Sequence, residues 1–119
     1  MSGAQAGPTS FHEFWPIYVS QHLNAACRRM HFAGTGLAMV CLVASPVCPL
    51  ALLAAPVVGY GMAWIGHFAF ERNRPASWHS LRAAVWSFRG DLRMFRYMLL
   101  GRMTGELGRA GVVAVASKV

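Results

Sequence analysis

Between Arg29 and Glu71 the chain carries no Lys, Arg, Asp or Glu. This charge-free run of about 41 residues leaves few folding options. As helix, rising roughly 1.5 Å per residue, it would measure about 60 Å, or two crossings of a hydrocarbon core about 30 Å thick. A single helix is excluded by Ser45-Pro46-Val47-Cys48-Pro49, which sets two prolines into a short break in mid-run, each lacking a backbone donor. The run therefore predicts a transmembrane helical hairpin over about 30–70. Its arms are expected at about Met30–Ala44 and Leu50–Phe70. The first arm is short, so its helix should begin upstream near Asn24 or sit tilted.

Composition agrees with this reading. Hydrophobic residues make up 55% of the 119 residues and charged residues 13%. That is too few charges to solvate a small globular surface, and too much apolar content for disorder. The net charge of +7 suits either nucleic acid or an anionic membrane surface. Placement decides between them. Arg28 and Arg29 precede the run, Arg72, Arg74, Arg82, Arg89, Arg93 and Arg96 follow it, and the tip carries none. The pattern argues against a nucleic-acid partner. It predicts an integral membrane protein in contact with anionic lipid, with both termini cytoplasmic. The first 30 residues hold no apolar signal core, so no cleavage is expected. Cys27, Cys41 and Cys48 form no C-x-x-C pair and read as small apolar fillers.

The flanks complete an all-α membrane protein. Residues 1–9 read as a flexible tail, 10–103 as a single helical membrane domain and 104–119 as a frayed C-terminal tail. Ser10 and Glu13 fit a capping box that opens an interfacial helix. Phe11, Trp15, Tyr18 and His22 then share one face, and Pro16 predicts a kink or break within it. Past a turn at 73–77, Trp78, Leu81, Val85, Phe88, Leu92, Phe95 and Leu99 form a stripe with the arginines off it. This predicts a basic amphipathic helix on the cytoplasmic leaflet or packed on the hairpin, interrupted at Gly90-Asp91, where Asp91 would serve as an N-cap.

Each arm carries a stripe of small residues: His31, Gly34, Ala38, Cys41 and Ser45 in the first, Ala55, Gly59, Ala63 and Gly66 in the second. Small residues let membrane helices approach closely, so the stripes should face each other. His31 and His67 would then lie at similar depth on the cytoplasmic side. His22 sits near the junction of the first helix and the first arm. Glu71 follows His67 at i+4, on the same face of an α-helix. Imidazole and carboxylate at a membrane boundary are costly unless paired or ligating. Their convergence suits a divalent metal, and imidazole with one carboxylate and open positions is a setting of non-haem Fe(II) oxygen chemistry. Bland alternatives exist for each group. An interfacial histidine can be a simple hydrogen-bond partner, Glu71 can pair with Arg74, and His12 and His79 read as surface groups. H-x-x-x-E is not H-E-x-x-H, so a zincin is unsupported, and no nucleophile elbow, P-loop or dinucleotide fingerprint is present.

Four stretches carry a family resemblance: Phe14-Trp15-Pro16-Ile17-Tyr18 with Gln21-His22-Leu23-Asn24, Arg29 to Thr35, Trp64 to Ala76, and Gly90-Asp91-Leu92-Arg93-Met94. The third, containing G-H-x-x-x-E-x-x-x-P-A, is the most specific. Through them the chain resembles the small membrane family of Fe(II)-dependent 2-hydroxy fatty acid dioxygenases of fatty-acid α-oxidation, and looks like its short branch. The resemblance implies Fe(II) held by His22, His31 and His67, with Glu71 as a fourth ligand or as a partner fixing a ring. It implies a long-chain 2-hydroxy fatty acid and O2 as substrates, cleaved between C1 and C2 to CO2 and a fatty acid one carbon shorter. Arg72 or Arg74 would pair with the substrate carboxylate, and the acyl chain would lie between hairpin and amphipathic helix. No organic cofactor is needed. One hairpin offers little wall around such a site, which makes a homodimer plausible. Two further readings compete: another metal-dependent enzyme on the same ligands, such as a lipid hydrolase, and a non-catalytic membrane protein binding lipid or a partner through its basic face.

Overall fold

A computed structural model describes residues 7–118, and among them every regular element is helical. Residues 1–6 of the expected N-terminal tail and residue 119 lie outside the described residues. The elements are α1 (Phe11–Ser20), α2 (Ala25–Ala44), α3 (Leu50–Ile65), α4 (Leu81–Leu99) and α5 (Met103–Lys118). A π-helical turn, Gly66–Glu71, extends α3, and a 3-10 turn, Ala76–Trp78, precedes α4.

The hairpin is present as a packed pair of helices, α2 and α3, joined through the proline-containing break. α2 begins upstream, at Ala25, because the Asn24 side chain accepts from the backbone N–H groups of Ala26 and Cys27. The small stripes do face one another. A Cβ on Gly34 would stand 3.0 Å from the Met62 Cβ, and one on Gly59 would stand 3.5 Å from the Ala38 Cβ. Among the described residues one continuous helical stretch, Leu50–Glu71, is long and apolar enough to cross a membrane. α2 is 20 residues long, but Arg28 and Arg29 fall in its first turns.

Three helices cap one end of the hairpin. α1 contributes Phe11, Phe14, Trp15, Tyr18 and Val19 to a core completed by Met94, Met103 and Ala110. Ser10 caps α1 as expected, accepting from the Glu13 N–H at 3.2 Å, while the Glu13 carboxylate reaches the backbone N–H of Thr9. Two expected breaks are absent. α1 runs unbroken through Pro16. α4 is continuous through Gly90 and Asp91, so Asp91 is not an N-cap. Gly90 is there for contact: a Cβ would lie 2.9 Å from the Tyr18 ring. The expected C-terminal tail is instead helix α5. Met103, Leu107 and Ala110 pack into the aromatic core, and the Trp15 indole N–H donates to Glu106 at 3.1 Å.

The arginines of α4 have a specific place. Arg89 and Arg93 stack on Phe11 at 4.3 and 4.7 Å from its ring centroid, and Arg93 also lies over Trp15. Such contacts contribute about 0.5–1 kcal/mol each at exposed sites. The face of α4 turned inward carries Ser87, Gly90 and Met94, whereas Leu81, Val85, Phe88 and Leu99 of the apolar stripe remain more than half exposed.

Candidate metal centre

Three histidines meet where the hairpin joins its cap. His22 follows α1, His31 lies in the second turn of α2, and His67 sits in the π turn after α3. All three are buried, and one ring nitrogen from each lies within 4.8 Å of the others. Their ring centroids are 4.5 to 4.9 Å apart.

The hydrogen bonds decide which nitrogens point inward. His22 Nδ1 contacts the Tyr18 carbonyl at 2.5 Å, and a carbonyl only accepts, so Nδ1 carries the proton. His31 Nδ1–H donates to the Asp91 carboxylate at 3.2 Å. His67 Nδ1 meets the Asn73 Oδ1 at 2.6 Å, and the Asn73 amide is oriented because its Nδ2 donates to the Gln21 carbonyl. With every Nδ1–H tied outward, each Nε2 keeps a free lone pair. The Nε2 atoms of His22 and His31 are buried without any partner. A buried polar atom without a partner is unfavourable, and a cation shared among the three Nε2 atoms would satisfy them. Burial, reinforced by His31 and His67, holds the His22 imidazole well below its usual range, in the neutral form that ligates. The donor set thus fits a metal of the imidazole-preferring group, Fe, Zn, Cu or Ni.

Around the rings lies a chamber of about 20 Å³, roughly one water-sized sphere. It is also lined by Ser87, whose buried hydroxyl has no partner, and by Tyr60 and Asp91. Asp91 accepts a second hydrogen bond, from the Tyr18 hydroxyl. Burial and the Asp91 charge raise the Tyr18 phenol well above its usual range, so it stays a donor. The carboxylate nearest the histidines is therefore Asp91, which buttresses one ring.

The structure brings His22, His31 and His67 together but not Glu71. The Glu71 carboxylate instead accepts from the Asn24 backbone N–H, at the N-terminus of α2. Spacing alone would still allow a shared His67–Glu71 face, but Glu71 ends the π turn and its carboxylate is taken by the α2 N-terminus, where free N–H groups and the helix dipole favour an anion. Glu71 forms no ion pair with Arg74 among the described residues. Arg72 and Arg74 are exposed; Arg72 closes the π turn with φ 58°. Pro75, after Arg74, lines the chamber. Sequence reasoning missed Tyr18, Asn73, Ser87 and Asp91 as parts of the site. A Gly-Asp pair reads locally as a helix start, and only the seating of Tyr18 against Gly90 shows that it is not.

The two carboxylates can be separated by experiment. Asp91→Asn should lower metal affinity about 10–100-fold, the usual effect of removing a partner that orients a ligating imidazole. Glu71→Gln should leave metal content unchanged and lower stability by about 0.5–2 kcal/mol through the weakened α2 N-terminus. Metal titration with thermal melts checks both, and loss of metal from Glu71→Gln would restore that residue as a ligand.

The family model described as 2-hydroxy-palmitic acid dioxygenase Mpo1-like matches residues 8–103. No curated protein and no solved structure matches the chain.

Proposed function

The chain belongs to the Mpo1-like family, and we propose that it is a membrane-embedded Fe(II) dioxygenase acting on long-chain 2-hydroxy fatty acids, which it shortens by one carbon with release of C1 as CO2. The observation that carries this reading is the buried set of three imidazoles, each tied outward at Nδ1 and open at Nε2. Iron held by His22, His31 and His67 would supply the O2-dependent oxidation. The chain's own residues bind, aim and shield. The Tyr18 carbonyl, Asp91 and Asn73 fix the three rings before anything binds, which removes reorganisation from the reaction. The Ser87 hydroxyl, unpartnered on the chamber wall, would donate to an oxygen of the substrate head. Arg74, exposed beside Pro75, would attract the substrate carboxylate at the membrane surface. The aromatic cap keeps bulk water from the His22 side.

Membrane embedding is part of the proposal. Val43, Val47, Leu50 and Val57 are 81, 91, 74 and 71% exposed, an apolar surface of a kind that soluble monomers rarely present. The arginines at the opposite end favour cytoplasmic termini, with the histidines at the cytoplasmic boundary.

Protein purified anaerobically and loaded with iron is expected to consume O2 when a long-chain 2-hydroxy acid is added, with release of the shortened acid. The His31→Ala protein should show none. Failure of the iron-loaded wild type to take up O2 would sink the dioxygenase reading. The all-imidazole donor set also suits catalytic zinc. A zinc-dependent lipid hydrolase is therefore the second reading, marked by ester cleavage without O2 uptake.

A further inference from the structure

Resting on that reading, we propose that the groove between the hairpin and α4 holds the acyl tail of the substrate and measures its length against Leu42 and Ala55. The groove has a volume of about 260 Å³ and is walled by α2, α3 and α4. Its lining is almost entirely apolar, and its single charged group is Asp91. Asp91 and Tyr60 line the histidine chamber as well. The two spaces are thus neighbours across the same side chains, polar at the histidine end and apolar beyond.

The direction of the groove follows from helix geometry. Thr35, Ala38 and Leu42 lie on the face of α2 that begins at His31. From His31 to Leu42, at roughly 1.5 Å per residue, the face climbs about 16 Å towards the hairpin tip. Tyr60, Gly59 and Ala55 line the facing side of α3. Phe88 and Leu92 of α4 roof it. Ala38 and Gly59 form its floor, where α2 and α3 approach closely: a Cβ on Gly59 would stand 3.5 Å from the Ala38 Cβ. Beyond the Thr35 hydroxyl, away from the histidines, the lining is hydrocarbon, so the fitting occupant is an unbranched acyl chain with its polar head at the histidines. This also explains why the apolar stripe of α4 is not consumed by packing: Phe88 and Leu92 are part of the binding wall.

The test is photocrosslinking with 2-hydroxypalmitic acid bearing a diazirine at its terminal carbon, applied to the full chain in bilayers. Adducts are expected on Leu42, Ala55 and their immediate neighbours. Ala38→Phe should block the groove midway, abolish those adducts and move the preferred substrate to shorter chains. Each methylene kept out should weaken binding roughly four-fold. Leu42→Trp fills the far end from a half-exposed position, away from the helix–helix contact, and should penalise only the longest chains. Adducts spread over outward residues such as Val47 and Val57 would overturn the assignment, as would an unchanged chain-length profile in both variants. Crosslinking needs no turnover, so a missing O2 uptake would count against the dioxygenase reading alone.

Discussion

Replacing His67 with alanine is expected to abolish stoichiometric metal binding and O2 uptake together. Among the described residues three nitrogens converge at the centre, and removing one leaves two ligands without Glu71 to substitute, because that carboxylate is engaged at Asn24. Losing an outer partner of a ligand already weakens metal binding about 10–100-fold, and losing the ligand itself should exceed that. The helix should survive. The π turn is held by its own backbone, including the Asn73 N–H bonded to the His67 carbonyl at 3.1 Å, which the substitution leaves in place. Metal analysis of anaerobically reconstituted protein, with circular dichroism as the folding control, checks both statements. His79→Ala is the comparison, since that ring is exposed and should change nothing. Full metal content in the His67→Ala protein would overturn the three-histidine centre.

Gly90→Ala, a change of one methyl group at a residue that ligates nothing, should destabilise the fold and loosen the metal site together. The new Cβ would stand 2.9 Å from two carbons of the Tyr18 ring, so the ring must move. Overpacking of this kind costs about 1–3 kcal/mol. Tyr18 also ties two parts of the site together: its hydroxyl holds Asp91, which orients His31, and its carbonyl holds His22. Displacing it should weaken metal affinity as well as lower the melting temperature. Gly61→Ala is the internal control. Gly61 lies in α3, a Cβ there would meet nothing within 4 Å, and alanine should stabilise the helix by about 0.5–1 kcal/mol. Equal melting temperatures for Gly90→Ala and the wild type would refute the close contact.

Much of the architecture is legible in local hydropathy and turn chemistry. The two prolines at 46 and 49 mark the hairpin tip, the Asn24 side chain sets the start of α2, and the small-residue stripes select the contacting faces. The aromatic face of α1 is visible at helical spacing, and Phe11, Trp15, Tyr18 and His22 are all buried together. The α5 core contacts are less visible. Met103, Leu107 and Ala110 do recur at helical spacing, but Gly105 and Gly108 dilute the pattern, and its partner surface on α1 lies far away in sequence.

The acidic residues divide along the same line. Spacing assigns Glu71 to the histidines, and a hydrogen bond from the Asn24 backbone N–H, which spacing does not reveal, draws it elsewhere. Asp91 reads as a helix boundary and is the carboxylate that the site uses. The sequence by itself determined a charge-free helical pair with basic flanks and three histidines able to meet at one boundary. Only the tertiary structure decided which carboxylate joins them and which ring nitrogens stay free. Periodicity records which face of a helix a residue occupies, whereas hydrogen bonds between distant segments, such as Tyr18 to Asp91 and Asn73 to Gln21, depend on how those faces pack.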